Sequence, residues 1–224
     1  MAGLLLALVL GLGVLVAGLL WPQRHALTFS QWWENAVGQD PAPVSVTAPN
    51  AVDIGFAQSM LLHHTQAIQM AMLVQGSPIE EVRQLAQSIL INQTHEAGLM
   101  RGWLSAWNAP MAVGGAPMAW VEQVEQFKAI EDVQYASQCK ANGGAMPGMA
   151  SPAELEALRL APGAAQQRLF LSLMKAHHEA ALPMAGFAYR NGQSSLIKGF
   201  ARTLIKEQAA EVAWMDKRLA QIRP

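Results

Sequence analysis

One long string occurs twice in this chain. Phe56, Met60, His63, His64, Ala67, Met70 and Ala71 return as Phe170, Met174, His177, His178, Ala181, Met184 and Ala185, at a constant offset of 114 (177 − 63). Four of the six histidines fall in the two His-His doublets. A match over chemically unlike positions points to internal duplication. A second pair of segments also matches. Ala86, Ile89, Gln93, Glu96 and Met100 correspond to Ala201, Leu204, Gln208, Glu211 and Met215 at an offset of 115 (208 − 93). The change of offset places one inserted residue in the turn between the two segments of a repeat.

The local signals are helical. Asn50 is a cap and Asp53 puts a carboxylate in a first turn, after which apolar residues run at helical period to about Val74. Gly76 ends that helix. Ser77 as cap and Pro78 at the first helical position start another, which ends near Trp107. So short a connection implies an antiparallel hairpin. The second hairpin runs from about Ala164 to Arg190, stops at Asn191-Gly192, and resumes from about Ser194 to Ile222. The spacing therefore predicts an all-α fold: a pseudo-twofold four-helix bundle made from hairpins at about 51–107 and 164–222. Between them, a helix is expected from Met118 to about Gln138. A loop carrying Met146-Pro-Gly-Met149 follows, and Ser151-Pro-Ala-Glu154 caps a short helix.

Residues 1–24 form a separate segment. Ala2 to Trp21 carry no charge, and 20 such residues at about 1.5 Å each span a hydrocarbon core of about 30 Å. The start lacks the basic residues of a signal peptide, and Leu15-Val16-Ala17 is a poor cleavage site, so an uncleaved membrane anchor is the expectation and a cleaved signal the alternative. Arg24 and His25 follow the run, too little charge to fix its orientation. Residues 25–50 read as a linker, with Trp32-Trp33 suited to a membrane interface and prolines breaking regular structure. This leaves 51–224 as the folded domain. Net charge −1 and 14% charged residues give no basic footprint, so no nucleic-acid partner is expected. The single cysteine, Cys139, excludes an internal disulfide framework and any Cys-x-x-Cys site. Twelve methionines make thioether the abundant sulfur.

A helix turns about 100° per residue, so Met60, His63, His64, Ala67 and Met70 lie within an arc of about 120°, the width of a core-facing stripe. Ala67 at its centre leaves room for a ligand or a close helix. Met174, His177, His178, Ala181 and Met184 repeat the stripe, and two such helices face to face bring four imidazoles and four thioethers near one axis. That donor set is soft. It suits copper, Cu(I) above all, with zinc or another divalent ion as the alternative through the histidines. Met146 and Met149 add two thioethers, and Cys139 is either a further soft ligand or incidental. The plainer reading makes each Met gap-filling core and each His a satisfied polar group. Gln93/Glu96 and Gln208/Glu211 either orient the histidines or merely pair with one another. His95 points away from its helix's inner face. Carboxylate di-iron chemistry needs Glu-x-x-His, which occurs nowhere in the chain. No nucleophile elbow or phosphate loop occurs either, so no enzymatic activity is expected; a helical protein-interaction module with a His/Met core and a ferritin-like metal oxidase are the alternatives.

With these motifs in hand, the chain resembles the family called "domain of unknown function 305", including its CopM-type copper-binding members. The repeated Met-x-x-His-His with Met-Ala, the Gln93-x-x-Glu96 segment with its copy, and Met146-Pro-Gly-Met149 carry the likeness, over roughly 50–107 and 140–222. The resemblance implies a ferritin-like helical bundle, exported or membrane-anchored, that binds copper and contributes to copper tolerance. The candidate metal ligands are Met60, His63, His64, Met70, Met174, His177, His178 and Met184, with Met146 and Met149 as secondary ligands. The implied partners are the metal ion, the membrane through the N-terminal helix, and a copper-handling protein or a second copy of the chain. One departure is that the repeat-equivalent of Asp53 is Gln167, which argues against a symmetric ligand role for Asp53.

Overall fold

The computed structural model describes residues 48–222. The apolar run at 2–21 and the linker up to residue 47 lie outside the described residues. Among those described, the secondary structure is entirely helical: α1 (Ala51–Leu73), α2 (Glu80–Ala106), a 3₁₀ turn (Ala119–Gln123), α3 (Ile130–Ala141), α4 (Pro152–Leu160), α5 (Gly163–Asn191) and α6 (Ser195–Gln221). No helix among them is long and apolar enough to cross a membrane.

The caps explain several boundaries. Asn50 accepts the Asp53 N–H through its side chain, and the Asp53 carboxylate accepts the Asn50 N–H, each at 2.9 Å. Asp53 is fully buried because it does more than cap α1. It also accepts the N–H groups of Gln193 and Ser194 at 3.0–3.1 Å, joining the start of α1 to the start of α6. That cross-link accounts for an acidic residue with no counterpart in the second repeat. Helix α2 begins later than the sequence suggests. Its cap position is Ile79, not Ser77, because Ser77 turns its hydroxyl to the Ile79 N–H while Arg83 bonds the Ser77 carbonyl. Ser151 and Glu154 form the expected reciprocal box at α4.

The helix expected from Met118 to Gln138 is instead a 3₁₀ turn, an irregular stretch and α3. Trp120 is the cause. Its ring is buried against Gly55, its indole N–H donates to Ser59 Oγ at 2.9 Å, and Ser59 donates to the Pro117 carbonyl at 2.6 Å. This anchoring outweighs local helix propensity. Helix α3 is held to the end of α5 by buried Asp132, which accepts from Arg190 at 2.7 Å and Asn191 at 2.9 Å.

Helices α1 and α2 pair, as do α5 and α6, and the two pairs meet through α1 and α5. The core divides into two apolar clusters. Met60, Met100 and Met184 lie in one, and Met70, Met174 and Met215 in the other. Met60 precedes His63 while Met184 follows His177, so α1 and α5 cross in opposite directions.

A Cβ at Gly55 would lie 2.2 Å from Trp120 Cγ, whereas one at Gly98 meets nothing within 4 Å. Gly55→Ala is therefore expected to lose about 1–3 kcal/mol in urea unfolding through overpacking. Gly98→Ala should gain about 0.5–1 kcal/mol from helix propensity. Equal effects would contradict this packing.

Candidate metal centre

All four histidines of the doublets are fully buried. At the α1/α5 crossing the rings of His63 and His177 stack with centroids 3.5 Å apart and planes inclined by 32°. The His177 Nε2–H donates to the backbone carbonyl of His63 at 3.0 Å. His64 and His178 turn outward from this pair, each to a carboxylate on the neighbouring helix. Glu96 accepts from His64 Nε2 at 2.6 Å, and Glu211 from His178 Nε2 at 2.6 Å. The two dyads are repeat-equivalents, so the pseudo-twofold extends from the sequence to the polar contacts.

What these bonds leave over defines the chemistry. A ring whose Nε2–H is given to a carboxylate or carbonyl keeps its second nitrogen for another partner. In His64, His177 and His178 that nitrogen is Nδ1, and none has a partner; His63 has none on either nitrogen. An unpaired buried polar group costs about 1–3 kcal/mol, so five such ring nitrogens in one core are a deficit that a bound group would repair. The thioethers of the same two helices are buried too: Met60, Met174 and Met70 fully, and Met184 nearly so. Imidazole with thioether fits a soft ion such as Cu(I), and a carboxylate orienting the far side of each imidazole is the usual support for a metal-binding histidine. Among the described residues, no group of three or more His, Cys, Asp or Glu side chains is placed to hold a metal.

The Met146–Met149 loop lies against this centre. Gly148, at φ +76°, packs where any Cβ would fall 2.4 Å from Ala180 Cβ and 2.8 Å from the Ala176 carbonyl, directly over the His177 backbone. Gln66 clamps the loop's end to α1, accepting the Ala150 N–H at 2.7 Å and donating to the Ala150 carbonyl at 2.8 Å.

The family model described as "domain of unknown function (DUF305)" matches residues 53–219. The chain belongs to the DUF305 family. A DUF305 protein from Streptomyces coelicolor, classed as secreted, is 32% identical over 76% of this chain and 93% of its own, with a TM-score of 0.64. A DUF305 fragment from Deinococcus radiodurans is 26% identical over 76% and 96%, with a TM-score of 0.59. CopM in its Cu(I)-bound form is 23% identical over 75% and 96%, with a TM-score of 0.55, and has the same fold; CopM has also been solved with Cu(II) and with silver. No curated protein matches the chain.

Within this DUF305 domain the sequence-derived residues distribute unevenly. The eight on α1 and α5 are all buried at or beside the crossing. Met146 is buried in the cluster of Met60 and Met184, and Met149 is half-buried alongside it. Cys139 packs in the same cluster beside Tyr135; burial raises its thiol pKa, opposed by Tyr135. His95 is exposed. Met100 and Met215 were not among the expected donors, although the 115-residue offset already aligned them, and each is fully buried.

Burial, followed by repulsion from His177, His64 and His178, pushes His63 well below its ordinary pKa. Burial and then His178 and His64 do the same to His177, with the bond to His63 opposing. An unfolded histidine takes up a proton near pH 6.5, so below that value the unfolded chain binds more protons than the folded one. Stability is complete above about pH 6.5 and falls as pH drops, by up to about 1.4 kcal/mol per pH unit per histidine. The melting temperature of the metal-free protein should therefore decline from about pH 7 to pH 5, and the decline should flatten in His63→Leu with His177→Leu. A wild-type Tm independent of pH over that range would contradict the buried neutral pair.

Proposed function

We propose that the protein is a non-enzymatic copper-binding protein that holds Cu(I) in the core of a ferritin-like four-helix bundle and scavenges or passes on the ion in copper tolerance. The observation that carries this reading is the set of unpaired, buried Nδ1 atoms among thioethers. His64 and His178 would hold metal through Nδ1, with Met60 and Met184 near one and Met70 and Met174 near the other. His63 and His177 lie between, and Met146 and Met149 serve as secondary donors. The ion would supply soft Lewis acidity and nothing else. The protein's contribution is to orient the imidazoles through Glu96 and Glu211 and to keep water out. CopM, which carries Cu(I), Cu(II) and silver, supports the choice of copper. Zinc is less suited because thioethers are poor zinc ligands.

The uncharged run at 2–21 supports an N-terminal membrane tether, and the secreted class of the Streptomyces coelicolor relative supports a domain outside the cytoplasm. A protein-interaction module with a His/Met core is the rival reading. It leaves the orphaned nitrogens unexplained.

Titration with Cu(I) against a competing chelator tests the proposal. Glu96→Gln with Glu211→Gln should weaken Cu(I) binding by about 10- to 100-fold, the usual effect of removing an orienting partner. His63→Ala with His177→Ala should also weaken it. Unchanged affinity in both double variants would rule the stripe out as the site, and metal-dependent oxygen consumption would favour an oxidase.

A further inference from the structure

The two halves of the molecule match in their repeat-related imidazoles, thioethers and glutamates but not in what covers them. The offset of 115 that relates Glu96 to Glu211 (211 − 96) also relates Leu85 to Phe200 and Trp103 to Arg218. On the His64 side the aromatic pair is present. Phe200 is buried, its ring centroid lies 6.5 Å from His64, and Trp103 meets it edge-on at 5.4 Å. On the His178 side the corresponding positions hold the smaller Leu85, half-buried, and Arg218, which is drawn aside to Glu81 in an ion pair.

A cleft of about 520 Å³ opens between α2 and α6 on that second side, walled by Glu81, Leu85, Ser88, Glu211 and Trp214. Glu211 is the residue that accepts from buried His178. Its side chain is 24% exposed, against 13% for Glu96. One turn before it, Gln208 is 4% exposed, and neither its amide oxygen nor its amide nitrogen has a partner. The cleft thus has in its wall a carboxylate that touches a buried imidazole and a partly exposed indole at Trp214. Carboxylate and indole attract cations, by charge and by the ring quadrupole.

We propose that the halves load unequally, and that a soft monovalent cation reaches the buried imidazoles through the α2/α6 cleft, with Glu211 as its first point of attachment. The inference rests on the copper-binding reading and adds a route and a side to it. Phe200 with Trp103 closes the equivalent path to His64, so ions that settle there arrive through the core. Glu211 then has two successive partners, the incoming cation and His178, while Glu96 has one.

The test follows transfer of Cu(I) from a coloured bicinchoninate complex to the full-length protein by stopped-flow absorbance. Leu85→Phe copies the closed half into the open one. Ser88→Trp fills the cleft from an exposed position and serves if Leu85→Phe disturbs folding. Each should slow loading by about tenfold while the final affinity stays within about twofold, and Phe200→Leu should leave the rate within about twofold of wild type. Wild-type loading rates in both cleft variants would overturn the route, as would several-fold faster loading in Phe200→Leu with the cleft variants silent. A wild-type protein that takes up no Cu(I) would overturn the copper reading and the route together.

Discussion

The stacked imidazoles of His63 and His177 are the contact on which the rest of the molecule depends. Two rings 3.5 Å apart in a dry core cannot both carry charge, and burial already holds each of them neutral. They mark the point where α1 and α5 cross. Small Ala67 and Ala181, one turn further along each helix, leave room for that approach. Outward of the stack lie a His–Glu dyad on each side, a helix behind each dyad, and the repeat-related methionines Met60, Met100 and Met184 on one side and Met174, Met215 and Met70 on the other. A core built only for stability would fill these positions with residues that need no partner. This one retains four imidazoles with unpaired nitrogens.

The repeat supplies paired imidazoles and thioethers, and the two halves then differ in what surrounds them. Asp53, without a counterpart in the second repeat, joins the starts of α1 and α6. The segment between the repeats adds Trp120 against Gly55 and the Met146–Met149 loop over His177, both on the side of Met60 and Met184. Phe200 and Trp103 seal that same side, while Leu85 and Arg218 leave the other open. The inserted segment therefore thickens one half of a symmetric core.

Much of this was legible in the sequence. The repeated string fixed which residues share an inner face, because the spacing of Met, His and Ala matches the helical period, and the two offsets located the hairpin turns. The soft donor set and the family resemblance both pointed to copper as the expectation. Three things were not legible. Crossing polarity was hidden, so the pairing of Met60 with Met184 rather than Met174 emerged only from packing. Boundaries at Ser77 and across 118–138 depended on tertiary bonds, to Arg83 and from Trp120 to Ser59, that outweighed local cap and helix signals. Finally, the His64–Glu96 and His178–Glu211 contacts joined residues 32 and 33 positions apart on different helices. Their polar character was evident in the sequence, but their partners were not.

The central claim is that a soft metal completes the orphaned Nδ1 atoms, and nitrogen NMR addresses it atom by atom. The protein, labelled with ¹⁵N at histidine and loaded with silver as a Cu(I) surrogate, should show silver coupling at Nδ1 of His64 and His178. Their Nε2 atoms should remain protonated against Glu96 and Glu211. Coupling confined to Nε2, or histidine spectra unchanged by silver, would contradict the account.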